Sequence, residues 1–271
     1  SLGANYDHTL YIGGTIGIQS VHYEQNSNLM ETDPDTLLGS FIGLEYKQHL
    51  ETRGAGYNFK FGIIYRPVDW LRIGGAVHSP TFFGLNDDYG SSMRSSFDDT
   101  LHGDGAWVDS PVGDYNYKLV TPPKAIGSLA IIIKKSAIIS VDYEFIDYSL
   151  ARLRADDYPF RTENNNIQNY YTYANNIRAG IEYRVGQFSI RGGYALYGSP
   201  YNSAEIDNDG SMQLFSGGLG IRDKDFYFDI AYVYALTNED YYLYSPGVVQ
   251  VDPAKLESTS GRLMATIGIK F

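Results

Sequence analysis

The chain has 271 residues, 43% of them hydrophobic, and a formal net charge of −11. That length fits one large β or α/β domain or two ordinary ones with a sizeable core, and the apolar content excludes a disordered chain. The acidic balance excludes broad affinity for nucleic acid or an anionic membrane surface, and the lack of cysteine excludes disulfides and thiolate metal sites. The chain holds 25 tyrosines, 13 phenylalanines and 29 glycines, a mixture that favours strands and tight turns over helices. The longest nearly apolar run, Ala125 to Ile133, falls far short of the ~20 residues of a membrane-spanning helix. A membrane could be crossed here only by strands.

In chain order, period-two alternation is the recurring signal, and the 3.6 period of an amphipathic helix is nowhere sustained. A first, less regular strand is expected over Leu10 to Gln19. The next sets Tyr57, Phe59, Phe61, Ile63 and Tyr65 against Asn58, Lys60, Gly62 and Ile64. Weaker patterns follow at Trp70 to His78 and Ala125 to Ile133. "AIISVDYEF" then sets Ala137, Ile139, Val141, Tyr143 and Phe145 against Ser140, Asp142 and Glu144. "NIRAGIEYR" separates Ile177, Ala179, Ile181 and Tyr183 from Arg178, Gly180, Glu182 and Arg184. The strand from Phe188 places Arg191 and Gly193 opposite its apolar row, and a further strand is expected over Phe215 to Ile221. Phe226 to Leu236 opposes Phe228, Ile230, Tyr232 and Tyr234 to Asp229, Ala231 and Val233. The closing "SGRLMATIGIKF" opposes Leu263, Ile267, Ile269 and Phe271 to Arg262, Met264 and Lys270.

The connections alternate. Tight links fall at 65–70, 134–136, 185–187 and 222–225, and long polar links at 24–52, 80–117, 153–174, 199–211 and 238–257. Short turns at one end and long loops at the other predict a transmembrane β-barrel. The 11 residues from Phe226 to Leu236 would extend about 36 Å at ~3.3 Å each, or about 28 Å at a tilt of ~40°, close to an apolar band of ~25 Å. A soluble sandwich also alternates, but its small polar set would face water. Here that set is rich in glycine, alanine and serine, with charges of both signs, as suits a crowded lumen. Facing Asp142, Glu182, Arg191 or Asp229 to mid-bilayer would cost up to ~2–4 kcal/mol each. The aromatic rows therefore face lipid. Tyr65, Trp70 and Tyr183 are expected in the girdle at the short turns, and Tyr23, Tyr148, Tyr197 and Tyr234 in the outer one.

The inward rows supply the candidate ligand-binding side chains: Lys60, Arg72, His78, Asp142, Arg178, Glu182, Arg191, Asp229, Arg262 and Met264. An inward arginine can hold a carboxylate head in bidentate fashion, and the same charges can equally be paired lumen filling. No catalytic or metal set is read. "EIDNDGS" (Glu205 to Ser211) has alternating oxygen ligands but lacks the glutamate of a calcium loop, so it reads as a hairpin turn. The acidic stretch from Leu85 to Gly105 reads as a solvated loop. None of the five histidines lies in a G-x-S-x-G or H-E-x-x-H context, so an enzyme is not expected.

"GYNFKFGIIYRPVDWLRIGGAVHSPTFFGL", then "TPPKAIGSLAIIIKKSAIISVDYEFIDYSLARL", then "NNIRAGIEYRVGQFSIRGGYALYGSPYN" resemble the FadL/TodX family, in the form found in the Bacteroidetes group. The resemblance rests on strand and turn pattern over nearly the whole chain and carries over no individual functional residue. It implies a bacterial outer-membrane transporter for passive uptake of hydrophobic small molecules such as long-chain fatty acids, without a cofactor. Family barrels have fourteen strands and an N-terminal hatch. About ten strands are read here, with "SLGANYDHTL" as the tail of the fourth running into the fifth, so residues 1–271 are expected to form a single barrel domain lacking the hatch and first strands. Phe271 resembles the terminal aromatic by which such barrels are recognised for insertion. Expected partners are the hydrophobic ligand and outer-membrane lipids with lipopolysaccharide. The alternative is a barrel whose loops bind a protein partner in secretion or surface attachment.

Overall fold

The structure is a computed structural model that describes residues 1–34, 39–98, 105–204, 208–241 and 253–269. Phe271, His102, most of the 238–257 connection and parts of the two acidic stretches lie outside the described residues. One antiparallel sheet of 15 strands makes up nearly all of it. The strands are β1 (Leu2–Tyr6), β2 (Leu10–Thr32), β3 (Phe41–Val68), β4 (Leu71–His78), β5 (Phe82–Phe97), β6 (Val108–Asp109), β7 (Gly113–Val120), β8 (Lys124–Ile133), β9 (Ala137–Asp147), β10 (Arg152–Arg154), β11 (Tyr173–Val185), β12 (Phe188–Tyr197), β13 (Met212–Arg222), β14 (Phe226–Tyr241) and β15 (Ala254–Ile269). A 3-10 turn (Tyr148–Leu150) and helix α1 (Arg161–Tyr170) lie between β9 and β11. Among the described residues β1 and β15 do not pair with each other, so the sheet is an open wall.

All ten expected strands are present, and the tight links join them at one end. Lys134 and Lys135, and Gly186, adopt positive φ in two of these turns, and Asp7 and His8 do so in the turn between β1 and β2, as tight hairpin links favour. Alternation places one row toward lipid. Phe59, Phe61, Ile181, Ile190, Leu219 and Ile267 are 52%, 52%, 51%, 57%, 58% and 68% exposed on this face, whereas Asn58, Glu144 and Asn176 on the other are 4%, 6% and 3% exposed. Tyr65, Trp70 and Tyr183 stand exposed beside the short turns. An upper girdle of ring pairs on the lipid face runs through Tyr57 and Phe82, Phe145 and Tyr173, and Tyr194 and Phe215, with centroids 5.5, 5.9 and 5.1 Å apart.

Above that girdle the structure departs from expectation. Residues 24–52 and 80–117, read as polar loops, carry the upper parts of β2 and β3, the whole of β5 and β6 and most of β7, and Leu85 at the head of the supposed solvated loop is 7% exposed. The physical reason is an inversion of phase. Register between β2 and β3 runs unbroken from Leu10↔Tyr65 to Thr32↔Gly43, so the face that carries Tyr57 and Phe59 below carries Arg53, Glu51, His49 and Lys47 above. Apolar residues move to the opposite face: Leu50, Leu85 and Tyr117, next to the buried Thr52. Arg53 and His22 pair with Glu51 at 2.5 and 3.0 Å. Once the strands leave lipid, water lies outside and the apolar row turns inward, so a pattern sought in one phase breaks there.

Two further readings are corrected. The 153–174 connection holds α1, a polar helix whose Asn164 side chain bonds the backbone N–H and C=O of Leu153 at 2.8 and 2.9 Å. Its stability comes from that clamp rather than from an apolar stripe, so no 3.6 period marks it in the sequence. Of the outer girdle tyrosines only Tyr234 lies in the lipid-facing row. Tyr23 is opposite Thr52, Tyr197 shares the parity of Arg191, and Tyr148 sits half-buried in a cavity with Glu144. Introducing Ile181→Arg on the lipid face should cost about 2–4 kcal/mol of stability in vesicles, read as a lower urea midpoint; an unchanged midpoint would contradict the assigned phase.

Candidate functional site

The site begins where the wall breaks. Three neighbouring strand paths are interrupted at one level: β4 to β5 at 79–81, β8 from β7 at 121–123, and β9 to β10 at 148–151. Pro80, Pro122 and Pro123 have no N–H for a ladder, so side chains complete the wall. The Ser79 hydroxyl accepts from the Phe59 N–H at 2.9 Å, and the Thr121 hydroxyl accepts from the Thr81 N–H at 2.9 Å. Asn58 donates to the Thr81 hydroxyl at 2.9 Å. Gly17 allows this, because a Cβ there would lie 2.5 Å from the Asn58 amide oxygen.

Just below the break, register sets Lys60, His78 and Lys124 abreast on β3, β4 and β8, all on the inner face. Like groups directly opposite one another repel, so such a row needs a counter-charge. Glu144, one row lower on β9, supplies part of it. It accepts from Asn176 at 2.8 Å, and Lys124 and Arg178 lie 3.8 Å from its two oxygens. Asn176 in turn accepts from the Gly198 N–H at 3.1 Å, which fixes its amide. Among the described residues Lys60 has no carboxylate within ion-pair reach. The row borders a cavity of about 540 Å³, also lined by Gln19, Thr81, Ile146 and Tyr148.

The other expected charges form a second group near the short turns. Arg191 donates to Glu182 at 2.6 Å and to Asp229, and Arg184 also donates to Glu182. Gly220 leaves space for this junction, since its Cβ would meet the Asp229 carboxylate at 2.2 Å. Arg191 is thus committed to two carboxylates and has little left for a ligand. Asp142 faces Arg178 between the two groups. Arg72, exposed near a turn, and Arg262 and Met264, on the edge strand β15, join neither group. Glu144, Lys124, Asn58 and Asn176 in the first group and Arg184 in the second are the contributors the candidate set omitted. Lys124 opens its strand directly after two prolines, which hides its parity. Among the described residues no group of three or more metal-ligating side chains occurs; Asp209 instead accepts from the Ser211 N–H at 3.0 Å as a turn residue.

These features define a membrane β-barrel wall with a basic row at its inner mouth. No protein-family model and no curated protein sequence matches the chain. Solved structures do. A Pseudomonas aeruginosa FadL homologue aligns with a TM-score of 0.66 at 15% identity, over 97% of this chain and 64% of that one. The P. putida toluene transporter TodX aligns at 0.62 and 11%, over 99% and 67%, and the monoaromatic hydrocarbon channel CymD at 0.59 and 12%, over 99% and 71%. The chain has the FadL-type outer-membrane β-barrel fold and spans between 64% and 71% of the length of these proteins.

Two outcomes follow. Arg191→Gln should leave Glu182 and Asp229 repelling each other across β11 to β14 and lower stability measurably at pH 7, with partial recovery in the double variant that also carries Glu182→Gln; equal stability of all three would contradict the junction. On β7, above the membrane, desolvation and then Asp87, which accepts from the phenol at 3.3 Å, push the Tyr117 hydroxyl up to about 12. A raised value in the folded state means its contribution is whole below the ordinary ~10 and is lost as pH rises from there through about 12. The ultraviolet tyrosinate difference between the wild type and Tyr117→Phe should therefore appear only at the top of that window.

Proposed function

We propose that this protein is a channel of the outer membrane for passive uptake of hydrophobic small molecules with an anionic head, long-chain fatty acids being the representative case. The observation that carries the reading is the basic row Lys60, His78 and Lys124, abreast on the inner wall and only partly countered by Glu144. A carboxylate entering the cavity would relieve that repulsion with charge-assisted hydrogen bonds. Apolar burial, at ~25 cal/mol per Å², would supply most of the affinity.

Support comes from the likeness to solved channels for hydrocarbons, and from the inward apolar residues above the girdle, which lead toward the mouth. No covalent step is involved. The ligand is captured above the membrane, held by its head at the break, and released toward the short-turn end. Uncharged toluene or a monoaromatic hydrocarbon, the cargo named for TodX and CymD, would leave the basic row unused.

In a displacement titration with palmitate, Lys60→Gln and Lys124→Gln should each weaken binding about ten- to a hundredfold, the equivalent of one charge-assisted contact. Arg72→Gln should leave it unchanged. If palmitate and toluene bind equally well and neither lysine matters, the anionic-head reading fails. If nothing hydrophobic binds, the protein-partner role becomes the better account.

A further inference from the structure

The outer face of the wall changes character directly above the upper girdle. At the girdle, register sets Tyr57, Phe82, Val120 and Arg152 abreast on β3, β5, β7 and β10, with the Tyr57 and Phe82 rings stacked at 5.5 Å. The next row up on the same face is Ala55, Gly84, Lys118 and Arg154, and Arg53, Asn86 and Asn116 stand in the row above that. Two residues of strand at ~3.3 Å each, tilted by ~40°, put Lys118 and Arg154 about 5 Å above the girdle row. Neither β1 nor β15 contributes to this face.

Lys118 and Arg154 are direct partners in the ladder, where like charges repel each other. Among the described residues neither has a carboxylate within ion-pair reach. Their neighbours are differently placed: Glu51 holds Arg53 at 2.5 Å, and Arg152 donates through one nitrogen to the carbonyls of Ser149 and Ala151, both at 2.6 Å. Asn86 donates to Asp114 and Asn116 at 3.0 and 3.3 Å, which leaves the Asn86 oxygen and the Asn116 nitrogen for other partners. Arg53, Asn86, Asn116, Lys118 and Arg154 border a concavity of about 390 Å³, in which Asp156 is the one acidic side chain. Gly84 lies in its floor, and a Cβ there would meet nothing within 4 Å.

We infer that this concavity is a docking site on the outside of the wall for a phosphorylated glycolipid headgroup of the outer leaflet, lipopolysaccharide in an outer membrane. The phosphate sits between Lys118 and Arg154 and relieves their repulsion through charge-assisted hydrogen bonds. The sugar lies over Gly84, with its hydroxyls on Asn86 and Asn116, and the acyl chains run down across Val120 and Phe82. Continuity with the girdle is what commits the site to a lipid, because a phosphate about 5 Å above the ring row is at headgroup height when its chains lie against those rings. The free amide groups and the open glycine commit it to a sugar-bearing head. A net charge of −11 gives the chain no general attraction to an anionic surface, so the headgroup is held by this local cluster and not by the field of the whole protein. Nothing in the site depends on what the lumen carries.

The test is native mass spectrometry of the full-length protein in detergent, titrated with diphosphoryl lipid A, its dephosphorylated form and phosphatidylglycerol. Wild type should bind diphosphoryl lipid A at least about tenfold more tightly than either of the others. The double variant Lys118→Gln, Arg154→Gln should weaken diphosphoryl lipid A about thirtyfold and leave the dephosphorylated form within about twofold. Lys134→Gln with Lys135→Gln, which removes the same charge at the short-turn end, should change none of the three. Gly84→Leu fills the concavity without touching a charge; it should weaken diphosphoryl lipid A about tenfold, and it carries the test if the double variant fails to fold. Palmitate affinity should be the same in all of these proteins, so this site and the uptake reading fail separately. Diphosphoryl lipid A held equally by wild type, the double variant and Gly84→Leu, or lost equally in the short-turn variant, overturns the site. Phosphatidylglycerol bound as tightly as diphosphoryl lipid A overturns the assignment to a glycolipid.

Discussion

A strand in hydrocarbon has nothing but another strand to bond its backbone, so each N–H and C=O in the band must be met by a neighbour in register. That constraint orders everything else in this wall. It forces neighbouring strands to run as continuous ladders, it fixes which residues stand side by side, and it divides every strand into a lipid row and a lumen row. Lys60, His78 and Lys124 come from distant parts of the chain and are adjacent only because three ladders share one register.

Where the ladder lapses, the wall is repaired by side chains, and the repair lies beside the basic row. Prolines interrupt two of the three broken strand paths, and hydroxyls from Ser79 and Thr121 take over the bonds that the ladder loses. The break coincides with the upper girdle, where water returns and backbone groups no longer depend on a partner strand. A polar cavity can therefore open at that level without the desolvation cost it would carry deeper in the band. The basic row and the membrane boundary meet at one height for the same reason.

The two charged groups of the lumen illustrate how like sequences diverge in role. Arg191, flanked by Glu182 and Asp229, is neutralised within the wall, and its neighbourhood behaves as a staple across β11 to β14. Lys60 has basic neighbours on one side and Thr15 on the other, and among the described residues no carboxylate lies within ion-pair reach of it. From the strands alone both are inward cations flanked by small residues.

The alternating rows, the asymmetry of short and long links, and the lipid-facing phase are local properties, written in side-chain period and turn composition, and the chain's sequence determined them by itself. It determined the ten strands and the identity of most inward charges for the same reason. The strands above the girdle were hidden because their apolar row changes face above Tyr57, and Tyr23, opposite Thr52, was misplaced with them. Which charges meet is a matter of register between strands many residues apart, as with Glu144 and Asn176, or Arg191 and Asp229. Only the tertiary structure decided that, because a shift of one residue in any ladder would send those side chains to the opposite face.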